Sequence, residues 1–267
     1  RHLPDVGYTL QIGDPNLIAE LTGIAVVADF RRRDIAAGGQ GAPLVPAFHK
    51  AIFSSQKEAR TIVNIGGMSN ISVLPADVAT PVIGFDTGPG NVLMDYWCEI
   101  HTGKPFDQNG IWAASAKPNE KLLNQMMKEP FFHLPPPKST GRECFNADWL
   151  MQQLNSFSEL DPSTVQATLC QLTVTVISKA IWQYAENTAA IFVCGGGAKN
   201  NYLMAKLQAQ LDTISVNSTQ LLGMDPCLVE SIAFAWLAQK TINHSEGNLP
   251  DVTGAKGLRV LGGIYPA

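Results

Sequence analysis

The sequence predicts an α/β protein, a sheet with helices packed on it, and three observations carry that prediction. Short β-branched runs alternate with longer apolar stretches of helical period. Three of the short runs end in glycine-rich turns, the punctuation of strand ends. Hydrophobic residues make up 45% of the 267 and charged residues 16%, the composition of a globular enzyme with a sizeable core.

Each element has a local reason. Residues 8–12 read as a short strand before the turn at Gly13, Asp14 and Pro15. Asp14 is a natural N-cap with Pro15 in the first turn, so residues 16–22 form a short helix ended by Gly23. Residues 24–30 are strand-like. They lead into Arg31, Arg32, Arg33 and Asp34, then a glycine-rich loop to Pro43 and a helix near Val45–Phe53. Residues 61–74 predict a hairpin, because two β-branched runs flank Gly66 and Gly67. Residues 82–86 form a third strand, which ends in Thr87-Gly88-Pro89-Gly90-Asn91, and Asn91 then caps a helix over 92–100.

Further along, 117–128 is helical, whereas Pro135, Pro136 and Pro137 force a loop over 134–142. Asp161, Pro162 and Ser163 open a long amphipathic helix to about Tyr184. Residues 190–194 are a buried strand running into Gly195-Gly196-Gly197, and a helix follows from Tyr202. The last long helix covers 226–239, before a polar tail. The sequence has no internal repeat and no low-complexity block.

Composition excludes several classes of function. A net charge of -4 and a pI near 5.7 argue against a nucleic-acid surface. No apolar stretch reaches the roughly 20 residues a membrane span needs. The start has no secretory signal pattern, so the cytoplasm is expected. Five cysteines lie far apart with no Cys-x-x-Cys pair, which fits reduced thiols better than a disulfide framework. The five histidines are equally scattered, and no protein-bound metal site is expected. There is no initiating Met, and the abrupt start suggests a fragment or a processed chain.

The glycine turns carry the chemistry. At a strand end, glycines let backbone N–H groups approach an anion without Cβ interference, and a following helix adds its positive end. Gly66 and Gly67 would clamp a phosphate, assisted by Asn64, Ser69 or Asn70. Gly195, Gly196, Gly197 and Ala198, with Asn200 beyond, suit the adenosine end of a nucleotide. Neither turn fits the P-loop or the dinucleotide pattern. Any one glycine pair can be simply a tight turn; three at strand ends point to a ligand.

Asp86 stands at the end of a buried strand, where a carboxylate projects into the ligand crevice of an α/β sheet. It could merely cap a helix, but Asn91 offers a second cap and frees Asp86 for chemistry. A free Asp titrates at about 3.9, so no upward shift is required of a base that works ionised. Glu230, in an otherwise apolar helix, reads equally as a ligand contact or an exposed residue. Asp34 is similarly open, and Cys194 reads as core.

Taken together these segments resemble the anhydro-N-acetylmuramic acid kinase family, of the sugar kinase and actin-like superfamily. The resemblance runs through residues 29–44, Asn64-Ile65-Gly66-Gly67-Met68-Ser69-Asn70 and Gly84-Phe85-Asp86-Thr87-Gly88-Pro89-Gly90-Asn91. Residues 137–143, 193–198 and 250–255 add to it. It implies a two-domain actin-like ATPase fold, with residues 1–32 and 246–267 belonging to the first domain and 33–245 to the second. The family's N-terminal Gly-Thr-Ser-x-Asp-Gly phosphate loop is absent. The expectation is therefore that part of the first domain is missing and that ATP binds poorly.

The resemblance also implies the reaction. ATP with Mg2+ is the cofactor, and 1,6-anhydro-N-acetylmuramic acid is opened by water and phosphorylated on O6. Asp86 is the implied base, and Glu230, Arg31 and Gln40 contact substrate. Asn64, Gly66, Gly67, Ser69, Asn70, Gly88, Gly90, Asn91 and Gly195 to Ala198, with Asn200, hold nucleotide. Arg31 to Arg33 and Lys138 to Arg142 are candidates for the lactyl carboxylate. A homodimer is expected. An N-acetylhexosamine-type kinase and a non-catalytic sugar- or nucleotide-binding remnant are the alternatives.

Overall fold

The computed structural model of the chain describes residues 1–267, the side chain of Asp5 excepted. It starts with a short antiparallel pair, β1 (His2–Leu3) and β2 (Tyr8–Thr9), followed by α1 (Pro15–Thr22). Asp14 caps α1 as expected, Oδ1 accepting from the Asn16 amide at 2.9 Å, and Gly23 closes it at φ 65°. β3 (Val26–Ala28), α2 (Arg32–Ala36) and α3 (Val45–Phe53) come next.

β4 (Arg60–Ile65) and β5 (Met68–Leu74) make the hairpin, and β6 (Ile83–Pro89) pairs with β5. Then come α4 (Val92–Thr102), α5 (Ile111–Ala114), α6 (Glu120–Met126), α7 (Ala147–Leu154) and α8 (Pro162–Tyr184). The chain ends with β7 (Ala190–Cys194), α9 (Asn201–Gln210), β8 (Ser215–Ser218), α10 (Val229–Ile242), α11 (Pro250–Thr253) and β9 (Gly263–Tyr265).

Five strands form the central sheet in the order β6-β5-β4-β7-β8, antiparallel on the β5 side of β4 and parallel on the β7 side. The two-residue alternation of a strand sorts its side chains onto two helical layers. Val63, Ile65, Ile191 and Val193 join α4, α8 and α9 in one core cluster. Ile62, Ala190 and Phe192 join α3, α10 and α11 in another. A strand buried on both faces explains why β7 reads as an unbroken apolar run. Separately, β3 pairs antiparallel with β9, bringing the C-terminal end back to residues 26–28.

Several expectations are corrected. The first strand stops at Thr9, and the 117–128 helix shrinks to α6, capped by Asn119. The third strand runs on through Pro89, so Thr87 and Gly88 lie in the sheet and not in a turn. Asn91 makes no side-chain cap; the carbonyls of Gly66 and Gly67 take the amides of Gly90, Asn91 and Val92 instead. The 3.6-residue pattern of α8 suggested one apolar face, yet Val165 through Ile181 is buried almost all round, between the sheet and the outer helices. Its surface is consumed by the core. α7, β8 and β9 were missed because they are short, and β8 is largely polar.

Candidate active site

A row of side chains crosses the sheet at one level. Register pairs Cys194 with Asn64, Asn64 with Asn70, and Asn70 with Asp86. Paired residues project to the same face, so the Asp86 carboxylate and two carboxamides share the α3 and α10 side of the sheet. Between Ser69 and Asn70 the ladder slips, leaving Thr87 as an extra residue on β6. Thr87 turns its hydroxyl to Ser69, and Ser69 also donates to Gly88 O at 3.2 Å.

Asp86 is 8% exposed and is held from outside its own strand. Its amide donates to Lys138 O at 3.2 Å, and its Oδ2 accepts from the Thr140 amide at 2.9 Å. The 134–142 loop therefore acts as a strap across the end of β6. Burial pushes the Asp86 carboxyl up to about 7, against the Thr140 amide, Arg31 and Lys138, which pull it down. This overturns the expectation of an unshifted carboxylate: strand-end placement signalled access, and the strap removes most of the water.

Asp86 opens into a cleft of ≈ 410 Å³ with Arg31, Asn64, Asn70, Thr140, Glu143 and Glu230 on its walls. Arg31 donates through Nη1 to Gly41 O at 2.8 Å. Burial lowers its guanidinium from the usual arginine range, and Asp86 and Glu230 counter that. Asn70 Oδ1 and Thr140 Oγ1 are buried without a partner, two polar atoms facing a polar ligand's space. Thr140 and Glu143 were not singled out from the sequence; they carried only the resemblance of residues 137–143.

Behind the loop of Arg31, Asp34 is fully buried and holds three donors. Oδ2 accepts from the Gly41 amide at 2.8 Å, and Oδ1 from Asn248 Nδ2 and Thr253 Oγ1, each at 2.9 Å. Its reading is settled as a brace: it ties the Arg31 loop to the segment around α11.

On the other side of the row, two adjoining cavities of ≈ 320 and ≈ 480 Å³ share Asn91, Asp95 and Gly196. The larger reaches Gly66, Gly67 and Arg142; the smaller reaches Asp107, Asn109, Lys199 and Asn200. Gly195 has φ 81°, and a Cβ there would lie 2.6 Å from Asn64 Oδ1 and from Ile65 O, so the turn admits no side chain. Asn91 Nδ2 donates to Ile65 O at 3.3 Å, and Asn200 caps α9 through Leu203 N at 3.0 Å. Thr173 on α8 ties down Pro89 O and Gly90 O. Burial pushes Asp95 up to about 6.

Not every candidate reaches these spaces. Ser69 is fully buried and bonded into the sheet, so its hydroxyl does not face the turn. Gly88 packs beneath Phe132, and Ala198 lies against the core. Gln40 sits beside the cleft, its Oε1 accepting from Ser139 Oγ at 3.3 Å. Of the basic candidates for a carboxylate, Arg31 alone lines the cleft. Arg32 pairs with Asp29 at 3.4 Å, Arg33 is exposed, Lys138 is packed among aromatic rings, and Arg142 borders the other cavity. Among the described residues, no group of three His, Cys, Asp or Glu could hold a metal ion.

The sequence profile described as "Anhydro-N-acetylmuramic acid kinase" matches residues 1–267. The chain belongs to that family. The anhydro-N-acetylmuramic acid kinase of Acinetobacter baylyi is 53% identical over 275 residues, covering 99% of this chain and 73% of that protein. The kinase of Variovorax paradoxus is 51% identical over 274 residues, covering 100% and 73%. Among solved structures, the activator of 2-hydroxyisocaproyl-CoA dehydratase from Clostridium difficile is a distant likeness, with a TM-score of 0.42 and 13% identity over 74% of this chain and 67% of that one. In this member of the family, Asp86, Arg31 and Glu230 line one cleft.

Proposed function

We propose that the chain is an ATP-dependent kinase that opens 1,6-anhydro-N-acetylmuramic acid with water and yields N-acetylmuramic acid 6-phosphate. One observation carries the reading: a carboxylate on β6 opening into a polar cleft, four residues before the glycine that closes onto the hairpin turn. In this reading Asp86 takes a proton from water as the water oxygen bonds to C1 and the C1–O6 bond breaks. ATP supplies the γ-phosphoryl group that captures O6, so no acid is needed for the leaving oxygen, unlike an ordinary inverting glycosidase. Arg31 receives the lactyl carboxylate, and Glu230 positions the sugar from α10.

The glycine turns and the paired cavities suit nucleotide: Gly66, Gly67 and Gly196 border the space for phosphates, and Lys199 and Asn200 the adenosine end. Mg2+ would arrive on the phosphates, as its reluctance to shed water favours, and neutralise their charge. The two-domain actin-like division belongs to the same proposal, with 1–32 and 246–267 in the first domain and 33–245 in the second; the β3–β9 pair supports the return of the tail. So do a cytoplasmic location, which five free thiols fit, and a homodimer, which light scattering would test.

Incubation with the anhydro sugar and Mg-ATP is expected to release ADP in step with ring opening. Phosphorylation of a free N-acetylhexosamine with no ring opening would overturn the reading. The ratio kcat/KM is expected to climb as pH rises through about 7, because a base with a raised pKa gains its ionised form there. Gly195→Ala forces a Cβ onto Asn64 and Ile65 O at a left-handed backbone position. It is expected to weaken ATP binding by about tenfold or more, read by calorimetry.

A further inference from the structure

Lys138 is 8% exposed, yet it does not line the cleft. Its Nζ donates to Phe131 O at 3.0 Å and lies 4.7 Å from the centre of the Phe131 ring and 5.6 Å from that of Phe85. Phe85 immediately precedes Asp86 on β6 and belongs to the core cluster on the opposite face of the sheet. The ammonium is therefore anchored on the far side of the catalytic strand, while its own backbone carbonyl takes the Asp86 amide and Thr140, two residues on, supplies the amide to Oδ2. No carboxylate lies within ion-pair distance of Lys138 among the described residues.

We propose that Lys138 is a positioning residue for the base: its buried ammonium pins the strap against Asp86 and supplies a positive charge that substrate does not cancel. The proposal rests on Asp86 being the base. Six charged or titratable residues face Asp86 or share its cleft: Arg1 and His2 at the first strand, Arg31 beside α2, Lys138 on the strap, Glu143 after it and Glu230 on α10. Glu143 opposes ionisation of Asp86. Arg31 favours it but faces the ligand, and a bound lactyl carboxylate would spend its charge. Lys138 is out of the ligand's reach, so its field persists in the loaded site. Burial lowers the Lys138 ammonium and Asp86 holds it up, the mutual coupling expected of opposite charges.

The test is a pair of 13C NMR titrations on the full chain, with the Asp86 carboxyl assigned by its loss in Asp86→Asn. Lys138→Met is expected to raise the Asp86 midpoint by about one pH unit. In Asp86→Asn, the Lys138 Cε midpoint is expected to fall by a similar amount, since coupling between two sites is reciprocal. A merely structural lysine would move neither. An unmoved Asp86 midpoint in folded Lys138→Met overturns the proposal; if that variant does not fold, an unmoved Lys138 midpoint in Asp86→Asn does so alone. Turnover surviving in Asp86→Asn would instead remove the base assignment and leave the charge coupling standing, so the two failures are told apart.

Discussion

Asp86→Asn is expected to lower turnover of the anhydro sugar by about three powers of ten while leaving sugar binding nearly intact. The amide has the size of the carboxyl, and its oxygen can still accept from the Thr140 amide, so the strap has no reason to move. What disappears is the proton acceptor. The same change should alter stability with a definite sign. The folded carboxyl is raised to about 7 from the ordinary aspartate value of 3.8. Between those values the folded protein holds a proton that the unfolded chain has released, so the wild type loses stability as pH rises across that window. Asn does not titrate. The variant should therefore match wild type near pH 4 and exceed it above about pH 7 in urea melts. Equal turnover, or a stability difference that does not grow with pH, would contradict the assignment of a buried, ionisable base.

Asp34→Ala is expected to be the costliest change outside the cleft. Three donors converge on that carboxylate, and removing it strands the Gly41 amide, Asn248 Nδ2 and Thr253 Oγ1 in the interior. Asn248 keeps a second acceptor in Gly257 O and Thr253 one in Leu249 O, which limits the damage. A loss of about 3 kcal/mol follows from the desolvation of unpaired buried donors. For a chain of this size that lowers Tm by roughly 6–12 °C in calorimetry. Asp34→Asn should recover part of the loss, since one carboxamide oxygen remains to accept. Because Gly41 O is also the acceptor of Arg31 Nη1, the Ala variant should raise the KM for sugar more than that for ATP. A Tm within 2 °C of wild type, about what a change under 1 kcal/mol would give, would show that the brace is dispensable.

The fold was legible where local chemistry is strong. Asp14 with Pro15, the Gly66–Gly67 hairpin and the run from Ala190 to Cys194 each carry a signal that does not depend on the rest of the chain. Asp86 stood out for the same reason, as a charge closing the apolar run 82–85, although β6 carries on past it to Pro89. Its raised pKa was not legible, because the burial comes from Thr140 and Lys138, more than fifty positions away. Sequence also cannot tell a glycine that frees an amide from one that lends a carbonyl. Gly66 and Gly67 lend theirs to the start of α4, so the capping assigned to Asn91 is done by the hairpin. The amphipathic reading of α8 failed because a helix enclosed by other layers has no solvent face to keep polar. Ser69 and Gly88 looked like ligand groups because of their neighbours, and the slip beside Thr87 turned them inward.

That slip has a mechanical consequence. Residue 86 and residue 90 are joined by four links of a single strand, roughly 13 Å at full extension. The proposed base at residue 86 and the backbone at residue 90, whose amide donates to Gly67 O on the hairpin turn, therefore stay within that span of each other. On the proposed reading, attack on the ring and capture of its departing oxygen are kept in step by covalent spacing.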